Sequence, residues 1–343
     1  MKTRHFVNAA LGAALALGAT LAGAQEITLK VAHFWPSQAL SQQKVLLPWC
    51  EKIAKESANR LKCQIYPSMQ LGGTPPQLIQ QAMDGVADIV WTLPGYTAGR
   101  FPSVEVFELP FMSRSAESTS RALWDYVEKY GKKDFARLKP LAFHVHDNGF
   151  VHGNKQITSM ADFNGLKMRA PTRLTNKMLA AFGAAPVAMP LPAVTESMSK
   201  GVIDGYVLPW EVIPTMKLQE LTKYHTETDP SEPALYTAVF VIAMNRAKYD
   251  SLPADLKKVI DNNSGADFSA QIGRVWDESA PAARQQAIDH GNVFNTIPAS
   301  ELVSWRKEGD KLAAEWVEEM NGKGYPGQAM LDSAKSLIEK YKQ

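Results

Sequence analysis

The chain has 343 residues, about twice the length of a typical ~150-residue domain, so two lobes with cores of their own are expected. Its 37 basic and 35 acidic residues give a formal charge of +2, and loss of Lys2 and Arg4 would leave the remainder neutral. That balance excludes a nucleic-acid footprint and a polybasic membrane patch.

Lys2 and Arg4 precede an apolar run from Phe6 to Leu21, and Ala22-Gly23-Ala24 is a small-x-small cleavage site. Residues 1–24 therefore read as a secretory signal peptide, cleaved on export to the periplasm of a Gram-negative cell. No cysteine follows to carry a lipid, and no later segment approaches ~20 consecutive apolar residues, so the mature chain is expected not to be membrane-embedded.

Strands and helices then alternate. Ile27 to Ala32 is a strand, followed by His33-Phe34-Trp35-Pro36 and a helix opening near Ser37. Cys50, late in that amphipathic helix, and Cys63, opening the strand Cys63 to Tyr66, are the only cysteines. In an oxidising compartment they form a disulfide or stay two buried thiols, and two ligands are too few for a metal. Thr74-Pro75-Pro76 starts a helix that ends before Gly85, and Ala87 to Trp91 is the next strand. Further strands are Leu141 to Val145, Leu166 to Arg169, Ile203 to Leu208 and Leu235 to Met244. Helices follow over Ala266 to His290, interrupted by Pro281, then Ser300 to Glu319 and Gly327 to Lys342. The class is α/β.

A weak internal repeat lies within this order. A helix, Gly85-Val86-Ala87-Asp88, a strand and Leu93-Pro94 recur as a helix, Gly201-Val202-Ile203-Asp204, a strand and Leu208-Pro209. Two lobes built alike would each offer a strand end and an aromatic loop to one cleft, with Trp91 and Tyr96 from the first and Tyr206 and Trp210 from the second. For any one aromatic, core packing is the commoner fate.

Gly165-Leu166-Lys167-Met168-Arg169-Ala170-Pro171 holds the sharpest signal. It reads as a turn glycine, a short strand, an arginine at the strand's carboxyl end and a proline stop. Open α/β sheets bind ligands outside such strand ends, and arginine's planar fork grips a carboxylate through two parallel hydrogen bonds. Thr172 is placed to cap a helix running to about Phe182, with Gly183 as its stop, and the helix start would add to the anion site. The alternative is an ordinary surface arginine.

The whole mature chain resembles the periplasmic solute-binding proteins of tripartite ATP-independent periplasmic (TRAP) transporters, the DctP type. The resemblance is carried by Tyr66-Pro67-Ser68-Met69-Gln70-Leu71-Gly72, the Gly85 to Asp88 turn, Leu109-Pro110-Phe111 and Gly165 to Arg169. Gly183 to Val187 with Met189-Pro190, Gly201 to Gly205, and Leu252 to Lys257 complete it. It implies a two-lobed periplasmic binding protein fold with crossing strands and a long lobe-spanning helix. Lobe I would hold residues 25–147 with about 237–270, and lobe II residues 148–236 with about 271–343. It further implies that Arg169 pairs with the carboxylate of an organic acid, that Thr172 adds a polar contact, and that small and large permease subunits receive the ligand. No cofactor and no catalysis are implied.

The chain departs from sialate-type members of that family. Asp204-Gly205-Tyr206-Val207-Leu208-Pro209 lacks their asparagine, Asn148-Gly149-Phe150-Val151-His152 lacks their second arginine, and Leu93-Pro94-Gly95 replaces an acidic residue. The expected ligand contacts are Arg169, Thr172, Phe34, Trp35, Trp91, Tyr96, Phe150, Tyr206, Leu208 and Trp210. Extra hydroxyls would go unpaired in such a pocket at ~1–3 kcal/mol each. The expected ligand is thus an aromatic or branched hydrophobic monocarboxylate, including a 2-oxo or 2-hydroxy acid such as benzoylformate or mandelate. A C4-dicarboxylate or another organic acid is the alternative within the family.

A different class is a periplasmic metal-dependent hydrolase. His144-Val145-His146-Asp147, with His152 beyond, puts His144 and His146 on one side of a strand, within reach of one metal. No H-E-x-x-H or G-x-S-x-G motif supports it.

Overall fold

The computed structural model describes residues 26–342; the expected signal peptide lies outside the described residues. Eleven strands are found among them. They begin with β1 (Ile27–His33), β2 (Leu61–Tyr66), β3 (Ile89–Thr92), β4 (Leu138–Val145) and β5 (Gly149–Gly153). They continue with β6 (Lys167–Ala170), β7 (Ala185–Ala188), β8 (Gly205–Pro209), β9 (Tyr224–Glu227), β10 (Val239–Asn245) and β11 (Val293–Thr296). One sheet has the order β2-β1-β3-β10-β4 and the other β11-β9-β5-β8-β6-β7. The fold is α/β with one sheet in each lobe, as expected.

The internal repeat has a physical basis. In the first sheet Lys30 N–H donates to Asp88 Oδ2 (2.8 Å) while Asp88 N–H donates to Lys30 C=O (2.9 Å). In the second, Lys167 N–H donates to Asp204 Oδ2 (2.8 Å) and Asp204 N–H to Lys167 C=O (2.8 Å). Each aspartate thus clips a parallel strand pair, β1/β3 or β6/β8, just where the chain leaves the preceding turn. The turn glycines, Gly85 (φ 76°) and Gly201 (φ 65°), take the left-handed conformation this geometry demands. Both clips set the register that brings the carboxyl ends of these strands to the inter-lobe face.

β10 is buried along its whole length, Val-Phe-Val-Ile-Ala-Met, and runs antiparallel between β3 and β4. Besides the helical path from β10 to β11, two short connections cross between the sheets, one from β4 to β5 and one from β9 back to β10. They are bridged where Gly149 N–H meets Tyr236 C=O (3.1 Å). A Cβ at Gly149 would lie 2.0 Å from the Tyr236 ring, so only glycine fits this crossing.

The helix Ala266–Asp289 spans the two lobes. On one side Gly273 lets it press on the helix Ala116–Tyr130, where a Cβ would come 2.3 Å from Ala116 C=O. One turn on, Asp277 accepts from Ala116 N–H (2.8 Å) and Glu117 N–H (2.9 Å), complementing that helix's positive end. Further along, Arg284 grips Glu227 of β9 with two bonds of 2.8 Å. Pro281 sits inside the helix without ending it. The last helix, Gly327–Tyr341, packs on Ala116–Tyr130 and so on lobe I, although residues 271–343 are expected in lobe II. An amphipathic face does not reveal in sequence which partner will cover it.

The strands β5, β7, β9 and β11 and the helix Ala116–Tyr130 have no counterpart among the elements expected from the sequence. Cys50 and Cys63, left open there, are joined as a disulfide tying the helix Leu47–Glu56 to β2. It closes a loop with a sequence separation of 13. By loop entropy, Cys50→Ala/Cys63→Ala should lose about 2–3 kcal/mol of stability. Urea unfolding of the oxidised and the substituted protein measures this, and coincident midpoints would count against a stabilising bond.

Candidate ligand-binding site

Between the sheets, at the carboxyl ends of β1, β3, β6 and β8, lies a cavity with ≈ 340 Å³ of space free of protein atoms, counted out to its mouth. This is the position the strand-end rule predicts. Phe34 and Trp35 come from the end of β1, Tyr96 from the loop after β3, Arg169 and Pro171 from the end of β6, and Leu208 from β8. The crossing connections add His146 and Tyr236, and β10 adds Phe240.

Arg169 is 1 % exposed. Its Nε donates to Met189 C=O (3.1 Å) and its Nη1 to Val207 C=O (3.2 Å), which aim the fork and leave part of it unspent. Burial pulls its pKa below the ordinary arginine value, while the neighbouring Tyr96 and Tyr236 hydroxyls work the other way. Arginine still holds its proton under such conditions. No acidic side chain pairs with it among the described residues. A surface arginine is therefore ruled out: this is a buried cation lacking a counter-ion.

The walls are mostly rings. Phe34 stacks on Trp35 with centroids 3.9 Å apart, Tyr96 leans on Phe34 at 5.6 Å, and Phe240 lies along Trp35 at 5.8 Å. Tyr96 is fixed because its hydroxyl accepts from Leu191 N–H (3.0 Å).

Five of the ten expected contacts, Phe34, Trp35, Tyr96, Arg169 and Leu208, line this cavity. The other five do not. Trp91 is wholly buried behind Trp35, donating its indole N–H to His144 Nε2 (2.8 Å) and packing against Trp276. Tyr206 turns its hydroxyl to Thr222 (3.0 Å) and stacks on His152. Trp210 donates to Glu227 (2.9 Å) and packs against Phe294, with Phe150 leaning on its rim. Each indole or phenol has found a partner inside a lobe, and that fixes its direction. Thr172 sits at the start of the helix Arg173–Ala181 with its hydroxyl on Thr175 (3.0 Å). Its methyl touches lobe I, where a Cβ on Gly95 would clash at 2.6 Å. Its contact is lobe to lobe.

The histidines are also committed. His144 Nε2 must accept from the Trp91 N–H, so its proton is on Nδ1, facing Val145 C=O (3.1 Å). His146 Nε2 accepts from Ala238 N–H (3.1 Å), and its Nδ1–H donates to Asp147 C=O (2.5 Å). Neither ring keeps a lone pair for a metal, and no group of three suitable metal ligands occurs among the described residues.

Sequence reasoning passed over Glu211, Tyr236 and Phe240. Glu211 follows directly on the Trp210 strand end, and a lone acid beside that cluster was the available signal. Burial pushes Glu211 up to about 8. Its neighbour Asp147 is raised too, by burial first and then by Glu211. Arg173 links the lobes: its guanidinium bonds Glu105 of lobe I, with Nε at 3.1 Å, and Glu319 at 2.7 Å.

Fold and site together define a two-lobed binding protein built around an inter-sheet cavity. A profile of the bacterial extracellular solute-binding proteins, family 7 (DctP), matches residues 31–319, and the chain belongs to this family of TRAP solute-binding proteins. It is 50 % identical to a TRAP solute-binding protein from Rhodoferax ferrireducens solved with copurified benzoate, with TM-score 0.90 over 92 % of this chain and 98 % of that one. It is 48 % identical, with TM-score 0.91 over 93 % and 100 %, to a marine metagenome TRAP solute-binding protein specific for aromatic acids, solved with 3-hydroxybenzoate. The C4-dicarboxylate-binding periplasmic protein DctP of Rhodobacter capsulatus is 26 % identical over 90 % of this chain and 92 % of its own. Proteins of this family bind small solutes for membrane permeases. No described helix is long and apolar enough to cross a membrane.

The buried titratable groups give stability a two-sided pH profile. Burial lowers His33 to about 4 and His144 and His146 to about 3, so the unfolded chain takes up their protons first as pH falls below 6.5. Their contribution is complete above 6.5 and is lost toward 3. Glu108, raised by burial to about 8, works in the opposite sense: its contribution is complete below about 4.5 and is lost as pH rises to 8. Urea midpoints should therefore fall on the alkaline side from pH 6.5 to 8. Glu211 and Asp147, raised in the same sense, share that limb, so Glu108→Gln should flatten it in part, and an unchanged slope would show that Glu108 does not titrate there.

Proposed function

We propose that this protein captures an aromatic or hydrophobic monocarboxylate in the periplasm and delivers it to the small and large permease subunits of a TRAP transporter. The observation that carries the reading is Arg169, a buried cation paired with no acidic side chain, in a cavity walled mainly by Phe34, Trp35, Tyr96, Leu208, Tyr236 and Phe240. His146 and Glu211, both kept neutral by burial, are its other polar side chains. A ligand carboxylate completes the guanidinium, and a flat ring stacks on the aromatic walls at ~0.5–1.5 kcal/mol beyond the area it buries. The benzoate and 3-hydroxybenzoate carried by relatives at 50 % and 48 % identity support the same chemistry. A 2-oxo or 2-hydroxy group beside the carboxylate would meet the Tyr96 hydroxyl, which neighbours Arg169.

A C4-dicarboxylate is the second reading, favoured by the relative from Rhodobacter capsulatus. It needs a second cation, and Arg169 is the one charged base lining the cavity, since burial keeps His146 neutral.

In this reading residues 1–24 are removed on export and the lobes close over the ligand about the crossing strands. Lobe I comprises 25–147 with about 237–270, lobe II 148–236 with about 271 onward, and the final helix joins lobe I.

Calorimetry with benzoate tests the anchor. Arg169→Ala should cost about 2–5 kcal/mol of binding, and Arg169→Lys should restore only part, because an ammonium cannot reproduce the fork. Unchanged affinity in the alanine variant would overturn the assignment. Closure predicts a smaller radius of gyration in small-angle scattering with saturating ligand, and identical profiles would argue for a rigid site.

A further inference from the structure

A second cavity, ≈ 260 Å³ by the same measure, adjoins the first and shares Trp35, Glu211 and Val212 with it. Three of its lining residues carry a buried polar atom without a well-formed hydrogen bond. Ser41 Oγ has no partner, while Trp276 Nε1 and Glu211 Oε2 have each other as nearest polar partner, the indole helping to hold the carboxyl's pKa down. Ser41 is 2 % exposed and Trp276 1 %. They come from distant parts of the chain. Ser41 opens the π-helical segment Ser41–Leu46 after β1, Trp276 lies midway along the lobe-spanning helix, and Glu211 follows β8. An orphaned buried atom costs ~1–3 kcal/mol, so Ser41 Oγ beside a poorly paired indole and carboxyl marks a place where a polar group belongs.

The donor set says which group. Trp276 offers an N–H and nothing else, Ser41 a hydroxyl that can give or accept, and Glu211 a carboxyl oxygen. A hydroxyl satisfies all three types, accepting from the indole and donating to the serine or the carboxyl. An ammonium would leave the indole unpaired, and a second carboxylate would face Glu211.

We propose that this pocket is the distal subsite of the ligand site, and that it takes the ring hydroxyl of a hydroxylated aromatic acid whose carboxylate is held by Arg169. The inference rests on the aromatic-carboxylate reading above and adds the chemistry of the ligand's far end. Burial raises the pKa of Glu211 well above the usual carboxylate range and so favours its uncharged form, compatible with a neutral phenol beside apolar walls. Trp35, common to both cavities, offers the face along which the ring would lie, with Glu211 and Val212 beside its far edge also common to both.

The test is calorimetry of benzoate, 3-hydroxybenzoate, 4-hydroxybenzoate and 3-fluorobenzoate against the wild type, Glu211→Met and Ser41→Ala. In the wild type one hydroxybenzoate isomer should bind about tenfold or more tighter than benzoate, and the fluoro compound should gain nothing comparable. The ratio of hydroxybenzoate to benzoate affinity should fall toward one in Glu211→Met and should drop in Ser41→Ala, whose smaller change guards against misfolding. Benzoate binding without any hydroxyl preference, or a preference intact in both variants, would overturn the subsite alone. If the wild type binds none of the four acids, the aromatic-carboxylate reading falls and takes the subsite with it.

Discussion

A guanidinium withdrawn from water without a counter-ion is expensive, and the fold tolerates it at Arg169 by lending two backbone carbonyls and a pair of tyrosine hydroxyls. Those groups are dipoles, not charges. They hold the side chain in one direction but leave its electrostatic demand unmet. The rest of the site follows from that deficit. Under the proposed function a carboxylate entering the cavity would supply the missing charge, and apolar walls would strengthen the pair by excluding water. Neutral His146 beside the arginine adds no competing charge, because burial has already driven off its proton.

Holding such a site between two lobes requires that both be rigid and that their junction be specific. The paired aspartate clips at Asp88 and Asp204 give each sheet the same strand geometry, so two equivalent strand ends meet face to face. The lobe-spanning helix fastens to lobe I through Asp277 and to lobe II through Arg284. Arg173, four residues from Arg169, adds a link between Glu105 and Glu319. None of Asp277, Arg284 and Arg173 lines the cavity, whereas the unpaired guanidinium of Arg169 does.

Much of this was legible in the sequence for identifiable reasons. Arg169 could be found because its strand is short, begins at a glycine and stops at a proline, which leaves its side chain no place but the strand end. Phe34, Trp35 and Tyr96 follow strand ends in the same way. Trp91, Tyr206 and Trp210 were misplaced because position along a strand does not reveal which polar partner will capture an indole or phenol: His144, Thr222 and Glu227 lie 53, 16 and 17 residues away. The strands β7, β9 and β11 are four residues each and mostly half-buried, so no alternation marks them. The disulfide stayed undecided because spacing alone does not bring a helix and a strand into register.

Arg169 as a cation awaiting a carboxylate is tested most directly by a pair of ligands that differ in charge but hardly in shape. Benzoate and benzamide share the ring, the planar substituent and its size. Calorimetric titration of the unmodified protein should show benzoate binding at least about a hundredfold more tightly than benzamide. Equal affinity for the two would mean that the cavity reads shape alone and that the buried arginine has another purpose.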